Sequence, residues 1–188
     1  MLPVIDIFAG PGGLGEGFSK AGFDVRLSIE MDSIACKTLV IRKFFHEFKN
    51  KQTPSKYYKF LNKKTDLEEL KLLFPKEWSE AQKKVLQAEI GNKEDQNKIN
   101  SKISEALNGT DDFILLGGPP CQAYSLAGRS RMLGLGKEEK ITKKESREEA
   151  EKRIIKLEKD RSKAFYKDKR HTLYREYIKL LVNNFQVP

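Results

Sequence analysis

The chain has 188 residues, enough for one domain with a sizeable core and too few for two ordinary domains. Its net charge of +9 suits a polyanionic partner, although charged residues make up 34% of the chain and solvated helix faces explain much of that. Two cysteines and two histidines exclude a disulfide framework and a zinc site built on them. No apolar run reaches membrane-spanning length and no basic leader precedes the first motif, so an intracellular location is expected.

The first element is the apolar run from Val4 to Phe8, which predicts a buried strand. A glycine-rich segment, 9–15, follows it, and a helix is expected from about Glu16. A strand, a glycine turn and a helix open a Rossmann-like nucleotide site, because glycine lets the backbone approach a ligand at a helix N-terminus. Gly10, Gly12 and Gly15 match the dinucleotide pattern, which a tight structural turn also produces.

The second strand is predicted at Val25–Ile29 and ends in Glu30, where such folds hold a ribose diol. Asp32 and Ser33 then indicate a helix N-cap. The apolar stripe of that helix predicts core positions at Ile34, Thr38, Leu39, Phe45 and Phe48. Cys36 lies in the same helix and is expected to be inert.

The segment from Asp66 to residue 110 carries weaker signals. By itself, Asp66 indicates a surface or capping carboxylate. Residues 68–110 are predicted to form an insertion of about two helices that the core fold does not need. A capping box at 79–82 begins the first helix, and a stripe at Ile99, Ile103, Ala106 and Leu107 marks the second, closed by Gly109.

The stretch 112–129 contains the most specific chemistry. Phe113–Leu116 predicts a buried, parallel and central strand. Two glycines and two prolines then end the strand, and the prolines make the following segment rigid. Cys121 therefore lies at the carboxyl end of the strand, where open α/β sheets place their ligands. A lone cysteine is more often a small buried hydrophobe, but this presentation favours a nucleophile.

Beyond Arg129, residues 131–166 form a second predicted insertion. It begins as a basic loop and continues as a charged helix exposed to solvent. The final helix follows Asp168 and places Leu173, Tyr177, Leu180 and Leu181 on one face.

The segment GGPPCQAYSLAGR resembles the catalytic motif of the cytosine-C5 DNA methyltransferases, and further blocks of that family follow the same order. Ile5–Gly13 is similar to the loop that binds S-adenosylmethionine. Glu30 is similar to the ribose-binding acid, Asp66 to the adenine-binding acid, and Asp168-x-Arg170-x-x-Leu173 to the block after the catalytic loop. The resemblance implies an α/β, Rossmann-like methyltransferase fold with a mostly parallel sheet flanked by helices. Residues 1–188 would be the amino-terminal part of one catalytic domain, incomplete at the C-terminus.

The resemblance also implies a reaction and its residues. The reaction is methyl transfer from S-adenosylmethionine to C5 of cytosine in double-stranded DNA, through a covalent bond between Cys121 and C6 and without a metal. The implied catalytic residues are Cys121, Pro120 and Gln122. The implied cofactor-binding residues are Phe8, Ala9, Gly10, Gly12, Gly13, Leu14, Glu30, Met31, Asp66, Leu67 and Pro119. The implied DNA-binding residues are Ser125, Arg129, Arg131 and Arg170.

Several family blocks have no counterpart in the sequence, including a Glu that protonates the target ring and the DNA-recognition region. We therefore expect the chain alone to be inactive and to need a complementing C-terminal polypeptide. The expected setting is a bacterial restriction-modification system, in the cytoplasm and near the nucleoid. The alternative is a non-catalytic remnant that binds S-adenosylmethionine or DNA, or a subunit of a split enzyme. A nicotinamide-dependent oxidoreductase would leave the segment around Cys121 unexplained.

Overall fold

The computed structural model describes residues 1–48, 53–119, 152, 155–157, 159–160 and 173–184. The chain divides into two units: Met1–Gly118 together with Ile178–Pro188, and Pro119–Tyr177. Most of the described residues belong to the first unit, which contains the sheet. Within the described ranges, no helix is long and apolar enough to cross a membrane.

A four-stranded parallel sheet forms the centre of the first unit. Its strands are β1 (Pro3–Ile7), β2 (Asp24–Glu30), β3 (Val85–Gln87) and β4 (Ile114–Gly117), in the order β3-β2-β1-β4. β1 lies between β2 and β4, and all five of its residues are buried. Such burial is typical of a parallel strand covered on both faces. The predicted α/β, Rossmann-like fold with a parallel sheet is confirmed.

Helices connect the strands, as parallel pairing requires. They are α1 (Gly13–Lys20), α2 (Ser33–His46), α3 (Ser55–Leu61), α4 (Leu67–Leu73), α5 (Pro75–Lys83), α6 (Lys93–Leu107) and α7 (Leu173–Asn184). α1 joins β1 to β2 and begins three residues before the predicted start at Glu16. The predicted N-cap of α2 is confirmed, because the Asp32 carboxylate accepts from the N–H of Ala35 at 2.7 Å.

Helix α2 has two apolar sides, whereas the sequence predicts one stripe. Leu39 and Phe48 are buried as predicted, but Ile34 is 72% exposed because it lies in the exposed first turn. Phe44, absent from the predicted stripe, is fully buried and packs against Phe48 at 5.2 Å and Trp78 at 5.5 Å between ring centroids. The helices α3 to α5 therefore complete a second apolar cluster on the side of α2 that carries Phe44.

The sequence predicts residues 68–110 as an insertion of about two helices outside the core fold, and the structure shows that part of this segment pairs in the sheet. It contains β3, which pairs with β2, and α6, which buries Ile99, Ile103 and Leu107 as its stripe predicts. β3 is only three residues long, too short for its alternation to be read from the sequence. The helix assigned to a capping box at 79–82 begins instead at Pro75, since proline is well suited to a first helical turn.

β4 also differs from its prediction. The sequence predicts a central, buried strand. Among the described strands, β4 instead lies at one edge of the sheet, and its residues are half-buried. Phe113, the first residue of the predicted strand, is buried but precedes β4.

Candidate cofactor site

The carboxyl ends of all four strands lie at one edge of the sheet, because the strands are parallel. In the ladder, Ile7 is paired with Ile29 on one side and with Gly117 on the other. Glu30 is paired with Gln87. The segments that follow the strands are therefore neighbours, which is the arrangement predicted for the loop after β1 and for Glu30.

The loop after β1 has an unusual backbone. The φ angles of Phe8, Gly10 and Gly12 are +54°, +54° and +88°, in the left-handed region that glycine tolerates and other residues rarely adopt. A Cβ at Gly12 would lie 2.7 Å from Cδ2 of Leu39, so the loop packs directly on α2. Phe8 holds a positive φ without being glycine, which is strain of the kind found at ligand sites. The loop leads into the N-terminus of α1 at Gly13, where backbone N–H groups attract anions.

Glu30 joins two loops through its carboxylate. Oε2 accepts from the N–H of Gly10 at 2.8 Å, and Oε1 accepts from the N–H groups of Met31 and Asp32, each at 2.9 Å. A carboxylate offers about four acceptor positions. Three backbone donors therefore leave room for about one further donor, such as a hydroxyl group.

Two apolar side chains are exposed near this edge: Leu14 in the first turn of α1 is 50% exposed, and Met31, directly after β2, is 62% exposed. Apolar surface beside a few fixed polar groups is the usual composition of a small-molecule site. Ala9 differs from them, since it is buried and its N–H donates to Ile29 O at 3.1 Å. Ala9 therefore contributes to the conformation of the loop and not to its exposed surface.

Asp66 has a local role in the structure. It caps α4, and its carboxylate accepts from the N–H of Glu69 at 2.8 Å. Its predicted role rested on motif order, but β3 comes later in the chain, at Val85–Gln87. The acid that follows β3 is Glu89, which is exposed. The sequence pattern does not reveal Glu89 because β3 itself gives no clear signal.

Two buried ionisable residues, Asp6 and Lys43, line one cavity together with Gly12 of the loop. Asp6 in β1 is 1% exposed, and burial raises the pKa of its carboxyl group to about 6, against the opposing field of Lys43. Lys43 of α2 is 8% exposed, and burial lowers the pKa of its ammonium group to about 8, against the opposing field of Asp6. The Nζ of Lys43 donates to Val25 O at 3.0 Å. Asp6 lies within the segment that resembles the cofactor loop but was given no role of its own, and Lys43 was not predicted as part of a site.

The predicted catalytic and DNA-binding residues lie outside the described residues: Pro120, Cys121, Gln122, Ser125, Arg129, Arg131 and Arg170. Their roles stay predictions. Pro119 is described and half-buried, and it directly follows Gly118 in the chain. A Cβ at Gly117 would lie 2.3 Å from Ile7 O, so glycine is required where the segment toward Cys121 leaves the sheet. Among the described residues, no group of three or more His, Cys, Asp or Glu is arranged to hold a metal.

The parallel sheet, the glycine turn and the acid that ends β2 define a Rossmann-like α/β protein, a fold class in which nucleotides bind at this edge of the sheet. The sequence model of the family described as C-5 cytosine-specific DNA methylase matches residues 2–67 and 58–142. The chain belongs to this family. The predicted resemblance is confirmed.

Three bacterial proteins are similar to the chain. Type II methyltransferase M.Bpa9945I of Bacillus paralicheniformis is 34% identical over 145 residues, covering 69% of this chain and 33% of the relative. Putative type II methyltransferase M.OihORF3336P of Oceanobacillus iheyensis is 30% identical, covering 72% and 21%. Type II methyltransferase M1.HphI of Haemophilus parahaemolyticus is 27% identical, covering 68% and 23%. The chain thus spans a third or less of the length of these relatives. No solved structure matches it.

Proposed function

We propose that this chain supplies the cofactor site and the catalytic cysteine of a DNA methyltransferase. The reaction is methyl transfer from S-adenosylmethionine to C5 of cytosine in double-stranded DNA, in a type II restriction-modification system. The observation that carries the proposal is the hydrogen bond between Gly10 and Glu30 at the carboxyl edge of the sheet, in a chain of this family.

The cofactor would lie along that edge. Glu30 has capacity for about one more donor, which fits a ribose hydroxyl. The exposed side chains of Leu14 and Met31 suit the apolar face of adenine. Gly10, Gly12 and Gly13 let the backbone approach the rest of the cofactor closely.

Two acids are candidates for accepting from the adenine amino group. Motif order favours Asp66, whereas strand topology favours Glu89, which follows β3 beside Glu30. Isothermal calorimetry with S-adenosylmethionine distinguishes them. We expect Glu89→Gln to weaken binding and Asp66→Asn to leave it within about twofold, because an exposed cap contributes mainly to helix stability. The reverse result would restore the assignment of Asp66.

The chemistry requires a covalent step, because cytosine C5 is a poor nucleophile. The Cys121 thiolate adds to C6, which makes C5 nucleophilic, and C5 then takes the methyl group from the sulfonium of the cofactor. Loss of the C5 proton and elimination of the Cys121 thiolate restore the aromatic ring. Pro120 and Gln122 flank the nucleophile, and Ser125, Arg129, Arg131 and Arg170 would contact the DNA. The target base must first leave the duplex.

Further polypeptide is proposed to complete the enzyme, since the relatives are three or more times longer than the matched part. It would carry the general acid that the resemblance implies, and such groups supply about 10²–10⁴-fold in rate. We therefore expect little or no methyl transfer by the chain alone.

The test is transfer of labelled methyl groups to mixed-sequence DNA, by the chain alone and with a polypeptide that supplies the carboxyl-terminal part of a relative. We expect activity only in the mixture. Cys121→Ala should abolish transfer and preserve cofactor binding, whereas the matched control Cys36→Ala, a buried cysteine in α2, should keep most of the activity. Cofactor binding without transfer in any mixture would favour the non-catalytic alternative. Binding of a nicotinamide cofactor in place of S-adenosylmethionine would refute the proposal.

A further inference from the structure

A small cavity of about 10 Å³ lies between α1 and α2, over the side chains of β1 and β2. Its walls include Asp6 of β1, Ser28 of β2 and Lys43 of α2. Gly12 and Gly15 form the wall of the cavity on the α1 side. The cavity therefore adjoins the candidate cofactor site and shares Gly12 with it.

Three polar atoms in this cavity lack partners. Both carboxyl oxygens of Asp6 and the hydroxyl oxygen of Ser28 are buried and have no hydrogen-bond partner among the described residues. Each of the two residues is only 1% exposed. Burying a polar group without a hydrogen bond is costly, so unpaired groups of this kind generally contact an ordered water or another ligand.

The charges around the cavity indicate a neutral ligand. Two acids, Asp6 and Glu16, and two cations, Lys43 and Arg42, line the cavity, together with His46, whose Nε2 is 2.8 Å from Oε2 of Glu16. An added anion would face Asp6, and an added cation would face Lys43. The Asp6 carboxylate only accepts, the Lys43 ammonium has donors beyond the one that Val25 O takes, and Ser28 does both. A ligand that both donates and accepts is required.

The volume is at the lower limit for a single water, which needs about 10–15 Å³. We propose that one water molecule is a constant part of this fold, bound between Asp6, Ser28 and Lys43, and that it anchors the back of the cofactor loop. The water donates to Asp6 and accepts from both Lys43 and Ser28, so one molecule contacts all three groups.

Asp6 is connected to the loop after β1 through the first turn of α1. A Cβ at Gly15 would lie 2.7 Å from Oδ2 of Asp6, so the first turn of α1 rests directly on the carboxylate. Gly12, the N-cap of α1, lines the same cavity. A shift of Asp6 is therefore transmitted to the turn that carries Gly10 and Gly12. This part of the inference rests on the proposed cofactor site.

A crystal structure of the full chain at high resolution tests the water directly. We expect density for one water within about 3.2 Å of a carboxyl oxygen of Asp6 and of Ser28 Oγ. An empty cavity in such a structure overturns the proposal.

Thermal unfolding tests it independently. Ser28→Ala should lower Tm by about 2–4 °C, because the water loses a partner. In a dry cavity, the same change would remove an unsatisfied hydroxyl and leave Tm unchanged or raised, which would contradict the proposal. Ser101→Ala in α6, an exposed serine away from the cavity, is the control and should not lower Tm.

Calorimetry separates the anchoring role from the cofactor assignment. Ser28→Ala is expected to weaken S-adenosylmethionine binding several-fold without touching the ligand, while Ser101→Ala binds as the unmodified chain does. Equal affinity of Ser28→Ala and the unmodified chain would refute the anchoring role. Absence of binding by the unmodified chain would refute the proposed function, and the density and Tm would still decide whether the water is present.

Discussion

The N–H of Gly10 donates to Oε2 of Glu30 at 2.8 Å, which fixes the loop after β1 to the end of β2. The other carboxyl oxygen of Glu30 accepts from Met31 and Asp32, so the chain reverses around one side chain before α2 begins. An acid at this position thus organises the site as well as offering an acceptor to a ligand.

Glu30→Gln should weaken S-adenosylmethionine binding by about tenfold to a hundredfold. Both carboxyl oxygens of Glu30 accept from backbone N–H groups, whereas the glutamine side chain has one oxygen and one NH₂ group. In either orientation of the side-chain amide, its NH₂ group would therefore face a backbone N–H. Hydrogen bonds to charged groups are worth about 1.5–3 kcal/mol, which sets this range. Calorimetric titration measures the change. Asp24→Asn, at the other end of the same strand, is the control and should bind normally; equal affinities of the two variants would contradict the prediction.

Gly117→Ala should destabilise the protein by about 2–4 kcal/mol, since its Cβ would meet Ile7 O, a backbone atom that cannot move without disturbing β1. Gly118→Ala is the matched control, because nothing lies within 4 Å of a Cβ at that position. Urea denaturation of both variants gives the two free energies of unfolding. A Gly117→Ala protein as stable as Gly118→Ala would show that β1 and β4 are less closely packed than described.

Gly15→Ala and Gly17→Ala should have opposite effects, although both replace a glycine in α1. At Gly17 nothing lies within 4 Å of a new Cβ, so alanine should stabilise the helix by about 0.5–1 kcal/mol. At Gly15 the new Cβ would meet Oδ2 of Asp6 at 2.7 Å, and the clash should exceed the gain in helix propensity. Thermal unfolding compares them, and a stabilising Gly15→Ala would argue against the contact with Asp6.

The stability of the protein should depend on the ionisation of Asp6. Its folded pKa of about 6 lies above the ordinary value of 3.8, so the folded state holds a proton that the unfolded state has lost between these pH values. The carboxyl group therefore lowers the free energy of unfolding as pH rises from about 4 to 6, by up to about 3 kcal/mol.

Asp6→Asn removes this titration. The unmodified chain should lose stability relative to Asp6→Asn between about pH 4 and pH 6.5, and the difference is measured by urea denaturation of both proteins. Lys43 of the unmodified chain, with a pKa of about 8, stays protonated over most of this range, so its own titration contributes little to the difference. A difference that does not vary with pH would contradict the raised pKa.

The sequence by itself determined the family, the parallel sheet, the glycine turn and the place of Glu30. These features are local, because an apolar run, a run of glycines and an acid at a strand end are each recognised from a short stretch of sequence. They also follow each other closely in the chain. Tertiary structure decided which residues share an edge or a cavity. β3 is too short to recognise, yet it pairs with β2, and Glu89 follows it in the chain, while Asp66 caps α4. The sequence also does not reveal that Asp6, Ser28 and Lys43, from three different elements, line one cavity, because contacts between distant segments depend on packing, which no local pattern records.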